Sequence, residues 1–174
     1  SVPAIRSWIT DAVAAICRDA PEIGGFFTIT ASENPTHCWS HGRGADCPRC
    51  GPKGPAHVTA DISTLIRAGV DAAASPARVI AWDWAWADAW ALEAIEKLPA
   101  GVALMSVSEW DLPIKRGGVA TAVGEYSLSA VGPGPRAKAN WAVARKRGLP
   151  TIAKVQANCT WELSAMPWLP VTEL

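Results

Sequence analysis

Helical and extended patterns alternate along nearly the whole of this 174-residue chain, and that alternation narrows the folds open to it more than any other feature. Residues 3–18 carry Ile5, Trp8, Ile9, Val13 and Ile16 at helical spacing, and Pro21 closes the run. Residues 25–32 are rich in aromatic and β-branched side chains and read as a strand. A long loop runs from Asn34 to His57, and residues 59–74 return to helical spacing through Ile62, Leu65, Ile66 and Val70. A strand at 78–84, a helix at 86–97 and a strand at 102–108 follow, then a loop at 111–124 and a strand at 126–131. Pro135 opens a further helix in the first-turn position that proline favours, Gly148 suits its end, and residues 151–157 form the last strand. Strands separated by helices imply right-handed crossovers and a parallel sheet.

A doubly wound open sheet and a closed barrel share this order, and the strand faces separate them. The first strand opposes Phe27, Ile29 and Ala31 to Thr28, Thr30 and Ser32. The third opposes Met105 and Val107 to Ser106 and Ser108, and the fourth opposes Leu128 and Ala130 to Ser127 and Ser129. The fifth opposes Ala153, Val155 and Ala157 to Lys154, Gln156 and Asn158. A sheet covered by helices on both sides should be apolar on both. One polar face points to a barrel lined by small and polar side chains. Neither glycine-rich phosphate fingerprint of the nucleotide folds is present. The expected fold is therefore α/β, a partial (β/α)8 TIM barrel with about five parallel strands and crossover helices. Residues 1–174 are read as one incomplete barrel domain, with 34–57 a Cys/His-rich insertion. Five strands do not close an eight-stranded barrel, so a fragment is expected, with open edges suited to self-association.

The charge pattern excludes several partners. Sixteen basic residues balance sixteen acidic ones, which removes the electrostatic case for nucleic acid or an anionic membrane. No apolar run is long enough for a membrane span, and the first residues lack the apolar core of a signal peptide. Cytoplasmic and exported locations both stay open. Ten tryptophans stand against two phenylalanines and one tyrosine. Such flat rings either pack between layers or stack on the C–H faces of sugars.

In parallel α/β folds the site lies beyond the carboxyl ends of the strands. Those ends read Ser32-Glu33-Asn34, Asp83-Trp84, Ser108-Glu109-Trp110-Asp111, Gly132-Pro133-Gly134 and Asn158-Cys159-Thr160-Trp161-Glu162. Glycoside hydrolysis needs carboxyl groups across the scissile bond, flat platforms and hydrogen-bonding amides, and this rim holds all three. Glu33, Glu109 and Asp83 are the candidate catalytic residues, with Glu33 as general acid/base. Asn34, Trp84, Trp110, Asn158, Trp161 and Glu162 are the candidate substrate-binding residues. The plainer readings are loop carboxylates capping local N–H groups and, for Asp83, pairing with Lys154 inside the barrel. The Gly132–Arg136 turn suits an anion at a helix start or simply shapes the loop.

The sharpest local motif is Cys38-Trp39-Ser40-His41 with Cys47-Pro48-Arg49-Cys50-Gly51. The C-x-x-C pair with Cys38 and either His41 or His37 would complete a tetrahedral N/S set for a structural zinc, with Cys38, Cys47, Cys50 and His41 the preferred ligands. A disulfide or reduced thiols are the alternatives. Cys17 reads as a core residue, and Cys159 has no evident role. No cofactor is required for catalysis.

The segments Glu125–Ser129, Val131–Arg136, Ala153–Asn158 and Thr160–Ser164, with Ser32–Cys38 and Cys47–Cys50, resemble bacterial family 20 glycosyl hydrolase-like proteins. The resemblance spans nearly the whole chain. It implies a hexosaminidase-like (β/α)-barrel, a carbohydrate substrate and a natural chain continuing past Leu174. Family 20 hexosaminidases carry an adjacent Asp-Glu pair at a strand end, the Glu as acid and the Asp orienting the substrate acetamido group. Here that place reads Ser32-Glu33, so only Glu33 carries over. The expected function is hydrolysis of a glycosidic bond in an oligo- or polysaccharide, with β-N-acetylhexosaminides one candidate class. The alternative is a non-catalytic carbohydrate-binding barrel with a zinc-stapled loop. A hydrolase using the loop metal for catalysis is disfavoured by the cysteine-rich ligand set.

Overall fold

The computed structural model describes residues 2–32, 36–41, 43–107, 111–123 and 133–155. Its elements in chain order are α1 (Pro3–Asp19), β1 (Gly25–Ile29), two 3-10 turns at Cys38–His41 and Gly44–Asp46, α2 (Gly54–Ala72), β2 (Arg78–Trp82), α3 (Asp88–Lys97), β3 (Val102–Val107), β4 (Leu112–Arg116), β5 (Val119–Val123), α4 (Pro135–Lys146) and β6 (Thr151–Lys154). Four of the strands form a parallel sheet in the order β1-β2-β3-β6. The helices touch one another in chain order, α1 on α2, α2 on α3 and α3 on α4, and so make a single row. The fold is thus α/β with crossover helices. The expected strand at 126–131 lies outside the described residues.

Periodicity explains the helices. Val13, Ala14 and Cys17 form the buried stripe of α1, and Ala56, Ala60, Ser63, Leu65 and Val70 that of α2. Small residues bring the helices close to each other. A side chain at Gly69 would meet the Thr10 carbonyl at 2.6 Å and Val13 Cβ at 2.7 Å. Arg6 bonds Asp61 across the same contact. Helix α2 begins at Gly54, five residues before its apolar stripe suggests, because the knuckle at Cys50–Gly51 feeds directly into it.

Two expectations are corrected. The segment at 111–124, read as a loop, forms an antiparallel hairpin of β4 and β5. Its turn is Gly117-Gly118, both at positive φ (55° and 84°), the conformation that two-residue hairpin turns require and glycine adopts without strain.

The second correction concerns the faces. Thr28, Thr30 and Ser106 do not line an interior; they lie under the helices with Val79, Ala81, Leu104 and Asp83. Burial of these hydroxyls is tolerable because each is bonded. Thr28 Oγ1 donates to the Ile80 carbonyl (3.2 Å), Thr30 Oγ1 accepts from Trp86 Nε1 (3.0 Å), and Ser106 Oγ donates to Asp83 Oδ2 (2.5 Å). The opposite face carries Phe27 and Ile29, 48% and 37% exposed, with Trp82, Met105 and Lys154.

Candidate functional site

The carboxyl ends of β1, β2 and β3 lie side by side in the parallel sheet, so the loops leaving them share one rim. Glu33, Asn34, Glu109, Trp110, Asn158, Trp161 and Glu162 fall outside the described residues. Asp83 and Trp84 are described, and they part company at the end of β2.

Asp83 follows Trp82, and its N–H still bonds the Met105 carbonyl (3.0 Å), so strand alternation carries its side chain under the helices. There it is fully buried. Oδ2 accepts from Ser106 Oγ and from Asn140 Nδ2 (2.7 Å), with Arg136 Nη1 at 3.3 Å. Burial pushes the Asp83 carboxyl up, against the opposing pull of Arg136, Ser106 and Asn140. Its ionic partner is therefore Arg136 of α4; Lys154 lies on the other face of the sheet, over the Trp82 ring (5.8 Å). Arg136 does more than pair. Its Nη2 donates to the carbonyls of Asp83 (3.3 Å) and Trp86 (2.7 Å), and its Nε to Asp88 Oδ1 (2.8 Å). One guanidinium fork thus clasps the whole turn between β2 and α3, in which Ala85 takes a positive φ of 58°.

Trp84 sits beyond the strand end near the opposite face. Phe27 stacks on Trp82 (5.4 Å), and Trp82 lies 5.9 Å from Trp84, giving an aromatic run from β1 to the rim. A cavity of about 330 Å³ opens beside Arg136, between α3, α4 and the base of the hairpin, lined by Asp88, Asp111, Leu112, Pro113 and Asn140 among others.

The second constellation is the cysteine loop. Cys38, Cys47 and Cys50 present sulfurs that all lie within 4.8 Å of one another, and the group could hold a metal ion. Local chain geometry explains the convergence. The Cys47 N–H donates to the Gly44 carbonyl (3.1 Å) and the Gly51 N–H to the Cys47 carbonyl (2.8 Å), folding the C-x-x-C segment into a knuckle. A side chain at Gly51 would meet the Ala45 carbonyl at 2.6 Å, and one at Gly44 would enter the Trp39 ring. Trp39 Nε1 in turn donates to the Cys50 carbonyl (3.0 Å) and closes the loop on itself.

Two of the thiols are shifted in opposite directions. The N–H groups of Cys50 and Arg49 point at the Cys47 sulfur and hold its pKa down to about 7, while hydrogen bonds to Cys47 and Cys50 push the Cys38 thiol up to about 11.

Of the two histidines considered as a fourth ligand, His37 is already engaged. Its Nδ1 accepts from the Trp39 N–H (3.2 Å), and its Nε2 lies 3.2 Å from Thr59 Oγ1. With Nδ1 accepting, the ring is neutral and Nε2 donates. The His41 side chain lies outside the described part. Burial lowers the His37 pKa to about 4, partly offset by a bond to the Thr30 backbone. The ordinary value is 6.5, so between pH 6.5 and 4 the unfolded chain takes up a proton that the folded one refuses. Stability should fall as pH drops through that window, and His37→Gln should remove this part of the dependence. Urea midpoints of both proteins at pH 7 and pH 4.5 check it; parallel pH profiles would contradict the assignment.

Sequence reasoning missed Thr30, Arg136 and Asn140. Thr30 looked like a lining residue, yet its carbonyl accepts from Thr36 Oγ1 (2.6 Å) and Ser40 Oγ (3.3 Å) while its hydroxyl receives Trp86. Arg136 and Asn140 sit four apart on α4, the helical spacing that puts both on one face, and that spacing was the available signal.

Comparison with known proteins returns no relative: no protein-family model matches the chain, and no curated protein or solved structure matches it either.

Proposed function

We propose that this chain is one arc of a (β/α)-barrel glycoside hydrolase whose site faces the side of the sheet away from the helices. The observation that carries the reading is the aromatic run Phe27–Trp82–Trp84, which leads along that side to the strand ends. Support for the barrel comes from a strand order that never reverses, with helices in one row, as in a closing barrel rather than a doubly wound sheet. Trp82 is itself buried, so Trp84 at the end of the run is the ring left to stack on the C–H face of a sugar.

In this reading Glu33 protonates the leaving oxygen. Glu109 stabilises the oxocarbenium-like state or activates water. Trp84, Trp110 and Trp161 hold sugar rings, with Asn34, Asn158 and Glu162 bonding hydroxyls. Asp83, held by Arg136, acts as a positioning residue for the turn that carries Trp84. Cys38, Cys47 and Cys50, with His41 as fourth ligand, hold a structural zinc.

A panel of aryl glycosides, N-acetylhexosaminides included, tests the function. Glu33→Gln should cost about 10²–10⁴-fold in turnover, the usual worth of a general acid, while oligosaccharide still quenches tryptophan fluorescence. Undiminished turnover by the variant would remove Glu33 from the mechanism. One observation favours a second reading, binding without hydrolysis: the engagement of Asp83 by Arg136 leaves fewer carboxylates for chemistry. Quenching without turnover across the panel would select it.

A further inference from the structure

We infer that the metal of the three-cysteine cluster locks the carboxyl end of β1, by fixing the turn at Cys38–His41 that is bonded to Thr30. This rests on the structural-zinc reading above and is independent of the hydrolase reading.

The argument follows a continuous set of bonds. Cys38 begins the 3-10 turn Cys38–His41, so a metal on its sulfur fixes that turn to the Cys47–Cys50 knuckle. Ser40, in the same turn, is buried; its Oγ donates to the Thr30 carbonyl and accepts from the N–H groups of Thr36 (3.2 Å) and His37 (3.4 Å). Thr36 Oγ1 donates to the same Thr30 carbonyl. Thr30 stands one residue past β1, and residues 33–35 lie between it and these clasps. His37, next to Cys38, reaches Thr59 on α2.

Thr30 and the stretch Thr36–Ser40 are therefore joined to each other by polar contacts alone among the bonds described. Thiols that bind zinc do so as thiolates and release their protons, so the ion replaces the weak hydrogen bonds among the three thiols with a firm bridge joining Cys38 to Cys47 and Cys50. Such a bridge removes conformational freedom from the intervening residues in the same way as a short cross-link.

The test uses the intact chain. Zinc content is measured by elemental analysis, with cobalt substitution for the thiolate charge-transfer band. Amide hydrogen exchange is then compared before and after removal of the metal by a chelator. The expected result is one zinc per chain, and, on its removal, exchange about tenfold or more faster across residues 30–41, with β2 and β3 unchanged. The variant Thr36→Val/Ser40→Ala should retain its zinc and yet exchange like the chelated protein, because the clasp to Thr30 is gone while the ligands remain. If zinc binds and leaves with no change in residues 30–41, the lock is overturned and the metal reading stands. A chain that takes up neither zinc nor cobalt overturns both.

Discussion

Asp83→Ala is expected to lower the stability of the fold by about 3–5 kcal/mol, the usual cost of removing one partner of a buried ion pair. The carboxylate is the common acceptor of Ser106 and Asn140, and its loss would leave Arg136 inside the protein with Asp88, a surface group, as its remaining anion. The prediction has a built-in control. Adding Arg136→Met to Asp83→Ala should recover part of the loss, because the uncompensated cation goes with it. Urea denaturation of the parent, the single and the double variant reads the effect directly. A single-variant loss below about 1 kcal/mol would put the pair among ordinary surface contacts and contradict the geometry.

Trp86→Ala should be comparably damaging, at about 3–5 kcal/mol, since the ring is fully buried between sheet and helices and collapse around so large a cavity is incomplete. For a chain of this size that corresponds to a fall of roughly 10 °C in Tm. Trp86→Phe separates packing from bonding. It keeps most of the ring but removes the Nε1 donor to Thr30 Oγ1, and about 1–2 kcal/mol should be lost. Thermal unfolding of the two variants side by side decides the matter. Equal losses would mean that the indole N–H, rather than the ring volume, accounts for the position.

These two residues also show what the sequence could and could not reveal. Helices and strands were legible because their apolar periods are clean: α1, β2, α3, β3 and α4 begin or end within two residues of where spacing puts them. The sheet faces were not. Thr28, Thr30 and Ser106 look like solvent- or ligand-facing positions when polarity alone is considered, yet short hydroxyls fit beneath alanine-rich helices once each finds a bond. Which partner is found depends on residues far away in the chain, Trp86 for Thr30 and Arg136 for Asp83, and no local pattern encodes that.

The hairpin was missed for a different reason. Alternation over five residues is weak, and a Gly-Gly pair signals a turn without saying what it joins. The cysteine cluster is the opposite case. Its three cysteines are near in sequence, and the C-x-x-C spacing with its flanking glycine sets the backbone that brings the sulfurs together. His37 illustrates the boundary: sequence makes it eligible as a ligand, and only the positions of Trp39 and Thr59 show that both ring nitrogens are already occupied.

The hairpin of β4 and β5 is inserted between β3 and α4, the helix that leads on to β6, the neighbour of β3 in the sheet. Its base helps to wall the cavity beside Arg136, whereas its tip, with Val119 two-thirds exposed, is set away from the core. The two ends are therefore under different constraints. At Gly117-Gly118 the chain can be lengthened, shortened or fused to a reporter at little thermodynamic cost, while Leu112 and Pro113 must keep their places. For anyone wishing to tag or tether this protein without disturbing its strand ends, that turn is a natural point of attachment.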